Sequence, residues 1–470
     1  MKKLFTIFVV AVLLAMCTRN YDEISVSTDI IAKNVMTNEE RAKQLVVDML
    51  NRIDPQTRGY VREIERVEFI SKERLLGTRT RTEADSTDTN SGYKIDTSKI
   101  DGLVILNFKD STGYGLIGVG SMVGEPEQFE PGGNNSTPIG LLAITDSGTM
   151  TSDEILSYGD EWMNGGGNSS NNTSSNNTYA YDEQVGDYLI GETDPDKFIS
   201  SLLYAYAYNV TNGNETESGD DFTDYEEVES VANDQKGPLL NTKWWQSLPF
   251  NYYIHTYNSA GDKRPVGCVT VAVAQTLTYL KDKQFGVYFE VSSVATTWTA
   301  IEKEEYKKGT IPADTIQYDA AKMMKRIADK IGVKYNYRGT GGTFATPKMA
   351  QKYLEDELGY SIDRQIGGKK AKRLKNIVNS LNANKPVIMA ALGGCEDGHA
   401  WVVDGYMKNE DSAKAKNDYF IHCNFGWGGN NDGWYLIDVL HSEKNDDSLL
   451  DPKVSEQDMK YNWMFRYLFF

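Results

Sequence analysis

The sequence predicts an α+β protein in two parts, and three observations carry that reading. Between 318 and 381, apolar residues recur at helical spacing in Tyr318–Val333, Thr346–Leu358 and Ala371–Leu381. Strand-like runs follow at Val387–Leu392, His399–Tyr406, Tyr419–Asn424, Trp434–Val439 and Trp463–Phe469. Helices first and strands second point to a helical half beside an antiparallel sheet half. Ahead of them, the segment from Thr211 to Lys236 is acidic and lacks hydrophobic periodicity, which marks a linker and a change of domain.

Taken in order, the chain opens with Lys2 and Lys3, then the apolar run Leu4–Ala15, then Met16-Cys17. That is a signal peptide over 1–17, too short to span a bilayer. Its end resembles a bacterial lipoprotein leader with Cys17 as the lipidated residue. The expectation is an exported protein, anchored to an outer membrane or cell surface through lipid on Cys17, or otherwise secreted.

Residues 18–210 read as a small α+β domain. Thr37-Asn38-Glu39-Glu40 has the form of a capping box and starts a helix running to about Ile53. Residues 72–100 are polar and read as a loop. Leu103–Phe108 and Tyr114–Val119 flank Asp110-Ser111-Thr112-Gly113 as a hairpin, and Ile139–Thr145 adds a strand. The Asn/Ser-rich run from Gly165 to Thr178 lacks the apolar residues a core needs. Phe198–Tyr208 reads as a helix. An exposed acidic linker over 211–236 is where a protease would nick the chain, leaving 237–470 as a second domain.

Composition excludes several classes. At 470 residues the chain has room for two or three domains, and 40% hydrophobic content supports real cores. A net charge of −18 with no basic stripe along the sequence argues against nucleic acid as a partner. Four cysteines are too few for a disulfide framework. With Cys17 in the leader, Cys268, Cys395 and Cys423 remain, so at least one thiol is free.

The chemistry centres on Arg264–Leu280. Pro265 and Gly267 break the chain, and Cys268 then opens an apolar helical run. A thiol at a helix N-terminus sits among unsatisfied N–H groups at the positive end of the helix dipole, which favours thiolate. His399 follows Gly398 at the start of a strand, where glycine permits close approach of another backbone. Beside a thiol, its imidazole can take the proton. Asn424, ahead of Phe425-Gly426-Trp427-Gly428-Gly429, can accept the imidazole N–H, and Trp427 can shield that bond. Gln246, after Trp244 and Trp245, can donate to a developing oxyanion together with the Cys268 N–H. Singly, each has a plainer reading: a core cysteine, a satisfied histidine, a turn asparagine, a surface glutamine.

Together, in the order Trp-x-Gln, Gly-Cys, Gly-His-Ala-Trp-Val-x-Asp-Gly and Asn-x-Gly-Trp-Gly-Gly, they resemble the streptopain family of secreted bacterial cysteine proteases. The resemblance spans about 237–440 and implies a papain-like fold. It also implies Cys268 as nucleophile, His399 as base, Asn424 as its orienter, Gln246 as oxyanion donor and no cofactor. Residues 18–210 then look like that family's inhibitory propeptide, enlarged by the Asn/Ser run, and protein or peptide chains are the implied substrates. Phe425 departs from the pattern, standing where a second tryptophan is usual. Other readings are an inactive papain-fold binding lipoprotein, a papain-fold amidase or transferase, and a zinc cluster of Cys395, His399, His422 and Cys423. A Cys395–Cys423 disulfide is a further possibility in an oxidising compartment.

Overall fold

The computed structural model describes residues 38–53, 62–75, 101–123, 139–156, 181–182, 185, 187–190, 194–211, 232–281, 297–336, 342–367, 369–392, 398–409, 419–440 and 464–470. The leader with Cys17, the Asn/Ser run, most of the acidic linker and Cys395 lie outside these.

The N-terminal part holds helix α1 (Asn38–Ile53), strands β1 (Ile64–Ser71), β2 (Gly102–Phe108), β3 (Tyr114–Val119) and β4 (Ile139–Thr145), and helix α2 (Pro195–Thr211). Strand β5 (Gln235–Lys236) follows the linker, and then come helices α3 (Cys268–Leu280), α4 (Trp298–Lys303), α5 (Thr315–Ile331) and α6 (Pro347–Asp356). Strand β6 (Asp363–Ile366), helix α7 (Lys370–Asn382) and strands β7 (Val387–Leu392), β8 (Gly398–Lys408), β9 (Tyr419–Asn424), β10 (Gly433–Leu436) and β11 (Met464–Phe469) complete the order.

Local chemistry explains the helix ends. Thr346 caps α6 by accepting from the Met349 N–H at 3.0 Å, and Pro347 sits at the first turn where no N–H is needed. Asp314 caps α5 in the same way through the Gln317 N–H. Helix α3 is apolar nearly all round and is buried from Cys268 to Thr278, as expected of a helix inside a core.

The eleven strands named above share one antiparallel sheet in the order β1-β2-β3-β4-β10-β9-β8-β7-β11-β6, with β5 beside β8, and two small two-stranded sheets pair Tyr181–Asp182 with Asp187–Tyr188 and Lys334–Tyr335 with Thr343–Phe344. The sequence led us to expect two separate domains, yet β4 pairs with β10 and carries the N-terminal strands into the same sheet. The reason is an unpaired edge. Strand β10 would otherwise present a row of free N–H and C=O groups, and the apolar β4 covers it. The Trp434–Val439 run stops being a strand at Leu436, where Ile437–Leu440 turn into a 3-10 helix. Strand β1 was not anticipated, because its apolar residues Ile64, Val67, Phe69 and Ile70 keep no strict alternation with the Glu and Arg between them. Lys72–Leu75 forms one helical turn inside the expected loop.

The sheet has a core on each face. Side chains alternate along a strand, and β8 divides accordingly. Trp401 and Val403 join α1, α2 and α7 in one core. Ala400 and Val402 join α3, α5 and α6 in the other. No described helix is long and apolar enough to cross a membrane.

Candidate active site

Cys268 is the first residue of α3 and 3% exposed, in the core of the helical half. Gly267 precedes it with φ 93°, a backbone that favours glycine, and a β-carbon there would sit 3.2 Å from Thr343 Cγ2. This turn sets Cys268 at the helix start, where the backbone N–H has no partner within the helix.

Gln246 is brought to the same segment. Its backbone carbonyl accepts from the Val266 N–H at 2.9 Å, two residues before the cysteine. The side chain is buried, and its Oε1 has no hydrogen-bond partner. Trp244 and Trp245 pack in the core that contains Cys268.

His399 lies elsewhere. It has the parity of Trp401, so its ring belongs to the face opposite Ala400, Val402 and α3. Trp427 stacks on it with centroids 4.2 Å apart, and Phe198 of α2 meets its edge at 5.4 Å. Its Nε2 bonds the Phe425 carbonyl at 2.7 Å, while Nδ1 is buried and unpartnered. Burial pushes this imidazole down to about 3, against the pull of the Phe425 carbonyl.

Asn424 does not meet His399 here. Its Oδ1 accepts from Gln275 Nε2 at 3.0 Å and from the Gly426 N–H, and its Nδ2 donates to the Thr242 carbonyl at 2.7 Å. Gln275 stands two helical turns beyond Cys268 on the same side of α3, and its Oε1 takes the Trp244 N–H at 3.5 Å. Asn424 therefore fastens the cysteine helix and the Trp244 segment to the sheet. A glutamine at zero exposure in an otherwise apolar helix was the signal for this clamp, and the sequence reading passed it over.

Gly398 is closely surrounded by the neighbouring strand and by a side chain of the N-terminal part. A β-carbon there would meet Leu392 Cδ1, the Ala391 carbonyl and Ile190 Cγ2, within 2.9 to 3.4 Å. Ile190 comes from the N-terminal part and exchanges both backbone hydrogen bonds with Ala345, at 2.8 and 3.2 Å. Thr343, two residues earlier, bonds the Pro265 carbonyl and touches Gly267. The N-terminal part thus pairs one extended residue with the Thr343–Ala345 segment, which is itself bonded to the turn before Cys268.

A second buried polar group was missed. His422 bonds Asp404 at 2.6 Å through Nδ1 and Asp146 at 3.3 Å through Nε2. Burial opposes charge on this ring, but the two carboxylates outweigh it and hold the imidazole up at about 10. Asp404 belongs to the motif around His399, while Asp146 follows β4, so this ion pair ties the N-terminal part to β9. Asp146→Asn removes the charge and keeps the shape. It should lower the His422 pKa and reduce the stability of the full chain by about 1–3 kcal/mol, read by NMR titration and thermal melting. An unmoved His422 would show that Asp404 alone sets the pair.

Among the described residues no group of three or more His, Cys, Asp or Glu is placed to hold a metal ion. Cys423 is a free, buried thiol whose pKa burial pushes well up. Its suggested partner Cys395 is outside the described residues.

Residues 244–435 match the Peptidase C10 family. The thiol protease/hemagglutinin PrtT of Porphyromonas gingivalis is 25% identical over 219 residues, 43% of this chain and 23% of that protein. Streptopain of Streptococcus pyogenes is 26% identical over 205 residues, 38% of this chain and 48% of the relative. The matched region thus spans about a quarter and about half of those proteins. Among solved structures, a fragment of prointerpain A of Prevotella intermedia aligns over 78% of this chain and 94% of its own, with TM-score 0.43 and 16% identity. Active interpain A aligns over 51% and 95%, with TM-score 0.36 and 20% identity. The residues that match the Peptidase C10 family, 244–435, contain Gln246, Cys268, His399 and Asn424, and the similarity is to the family its motifs pointed to.

Proposed function

We propose that this chain is an exported bacterial cysteine endopeptidase made as a latent precursor, and that the full-length form is the latent one. The observation that carries the reading is Cys268 at the head of a buried helix, with the Gln246 segment hydrogen-bonded to the turn before it. The names of the relatives, a thiol protease and streptopain, support the reaction class.

In the active form, His399 takes the Cys268 proton and the thiolate attacks a peptide carbonyl. Gln246 and the Cys268 N–H receive the oxyanion. His399 returns the proton to the leaving amine, then activates the water that cleaves the thioester. Asn424 lies opposite Val402 on the helix-facing side of the sheet and bonds α3. Once His399 is on that side, Asn424 is there to orient it.

Latency follows from where the N-terminal part sits. Phe198 and Trp427 hold the His399 ring on the far face, and Ile190 occupies the backbone groups of Ala345, two residues from the Thr343 that bonds the turn before the cysteine. His399 is the second residue of β8, so its ring can cross by a twist of the strand end once α2 withdraws. Residues 18–210 act as inhibitor on this reading, and cleavage within 211–236 releases 237–470. Cys17 would carry the lipid that anchors the precursor, and the mass of the protein isolated from its host reports that modification.

The separation of imidazole and thiol favours one other reading, an inactive binding lipoprotein on the same fold. Casein hydrolysis after limited proteolysis in the linker decides between them. Release of peptides supports the endopeptidase; a trimmed protein without activity supports the binding protein. Within the active form, His399→Ala should cost about 10²–10⁴ in turnover. Asn424→Ala should cost less, because an unoriented base still accepts protons. The reverse order would exchange their roles.

A further inference from the structure

We infer that Arg264 is a specificity residue, binding a carboxylate that the substrate carries within about four residues of the scissile bond. The inference rests on the peptidase reading above and adds a substrate preference to it.

Arg264 stands four residues before Cys268 and is half-buried. Its Nε is buried without a hydrogen-bond partner, and among the described residues no carboxylate pairs with the guanidinium and no ring lies against it. An arginine drawn this far from solvent normally has a partner, because a charge is costly to bury alone. The nearest carboxylate along the chain, Asp262, is exposed and turned elsewhere, its Oδ2 accepting from Asn258 Nδ2 at 3.1 Å.

The backbone that carries this guanidinium is held on both sides. The Arg264 N–H donates to the Thr256 carbonyl at 2.8 Å, and the Arg264 carbonyl accepts from Asn251 Nδ2 at 3.1 Å. Pro265 follows and restricts Arg264 to extended backbone. The Pro265 carbonyl accepts from Thr343 Oγ1 at 3.2 Å, and the Val266 N–H donates to the Gln246 carbonyl at 2.9 Å. Short rigid links therefore tie Arg264 to the nucleophile and to the oxyanion donor. A guanidinium placed in this way is preorganised. Its planar fork meets both oxygens of a carboxylate, and less conformational freedom is lost on binding.

Chain geometry limits where the ligand group sits. Four residues span at most about 14 Å, so the Arg264 Cα is no farther than that from the Cys268 Cα. An extended substrate advances about 3.3 Å per residue, so the matching carboxylate lies within about four residues of the bond that is cut. Extended chain already pairs with the neighbouring segment. Ala345 exchanges backbone hydrogen bonds with Ile190 of the N-terminal part, and Thr343 bonds the residue after Arg264.

The test uses the protein cut in the linker, and casein hydrolysis by the same preparation checks the peptidase reading. Peptides of one sequence, with Glu or Gln placed in turn at each position around the cleaved bond, give pairs of kcat/KM values. The expected result is one position at which Glu exceeds Gln by about 10–100-fold, a ratio that falls to about one in Arg264→Gln. The ratio should also narrow as salt rises. Arg264→Lys keeps the charge and loses the fork, so its ratio should lie between, and it decides alone if the glutamine variant does not fold. Because each ratio is taken within one variant, a partly folded preparation still gives the answer. Matched peptides with an amidated C-terminus identify the source of the carboxylate. A preference that survives amidation belongs to the side chain, and one that vanishes belongs to the chain end; either supports a carboxylate at Arg264. Casein hydrolysis with no preference for Glu or for a free C-terminus, or a preference that persists in Arg264→Gln, overturns the proposal and leaves the peptidase reading standing. A preparation that cuts neither casein nor any peptide overturns both.

Discussion

Cys268→Ala should leave the chain folded and its trimmed form without hydrolysis, a loss of at least about 10³-fold in turnover. The reasoning is chemical. No other described residue combines a sulfur nucleophile with a helix N-terminus and an adjacent glutamine, and without the thiolate no acyl-enzyme forms. The fold should survive because alanine fills most of the volume of a small buried thiol and suits a helix. Iodoacetamide should label Cys268 in the trimmed wild-type protein and nothing at that position in the variant. Activity retained by the alanine variant would remove Cys268 as nucleophile and with it the peptidase mechanism.

The second large effect concerns the N-terminal part. Full-length protein should hydrolyse casein about 10²–10⁴ times more slowly than the same protein cut in the linker, because its base is held away from the thiol. Equal rates would mean that residues 18–210 do not inhibit. Acid should weaken the latent state, and the sign follows from His399. Its imidazole titrates near 6.5 when exposed and is pushed down to about 3 where it now lies. A depressed histidine stabilises its surroundings above 6.5 and loses that contribution as pH falls toward 3. By pH 5 the loss is about 2 kcal/mol, at about 1.4 kcal/mol per pH unit. His422 does not oppose this, since its raised pKa makes its contribution complete below 6.5 and lost only as pH climbs toward 10. Asp432 runs the other way. Burial pushes it up to about 7, so it stabilises the fold as pH falls. It binds the Phe425 N–H within the C-terminal part. The rate of trimming-dependent activation, not the melting temperature, is therefore the reading that isolates His399. Activation that slows from pH 7 to pH 5 would contradict the burial of His399 as the latch.

Much of the fold was legible before any coordinates. Strands β7, β9 and the β2–β3 pair fall where alternation or apolar runs put them, and α6 starts at Thr346-Pro347 as its capping chemistry requires. Short elements were not, because β6 spans four residues and α4 six, too few for a period to be read. The site was legible as a set of residue types in order. Gln275 and Ile190 were not, since one is an unremarked polar residue in an apolar helix and the other one aliphatic among many.

What the sequence determined by itself is the chemistry on offer: a thiol at a helix start, an imidazole at a strand start, and glutamine and asparagine in glycine- and tryptophan-rich turns. Those follow from local rules, in which capping, chain breaking and side-chain type act over a few residues. Tertiary structure alone decided which of them meet. The parity of β8 sends the His399 ring to one face and α3 packs on the other, and strand parity against a distant helix is a long-range choice. So is the entry of β4 beside β10, which brings Asp146 to His422, with Phe198 and Ile190 of the same N-terminal part against His399 and Ala345. Burial of apolar area from both halves in one sheet makes that choice, and no local pattern encodes it.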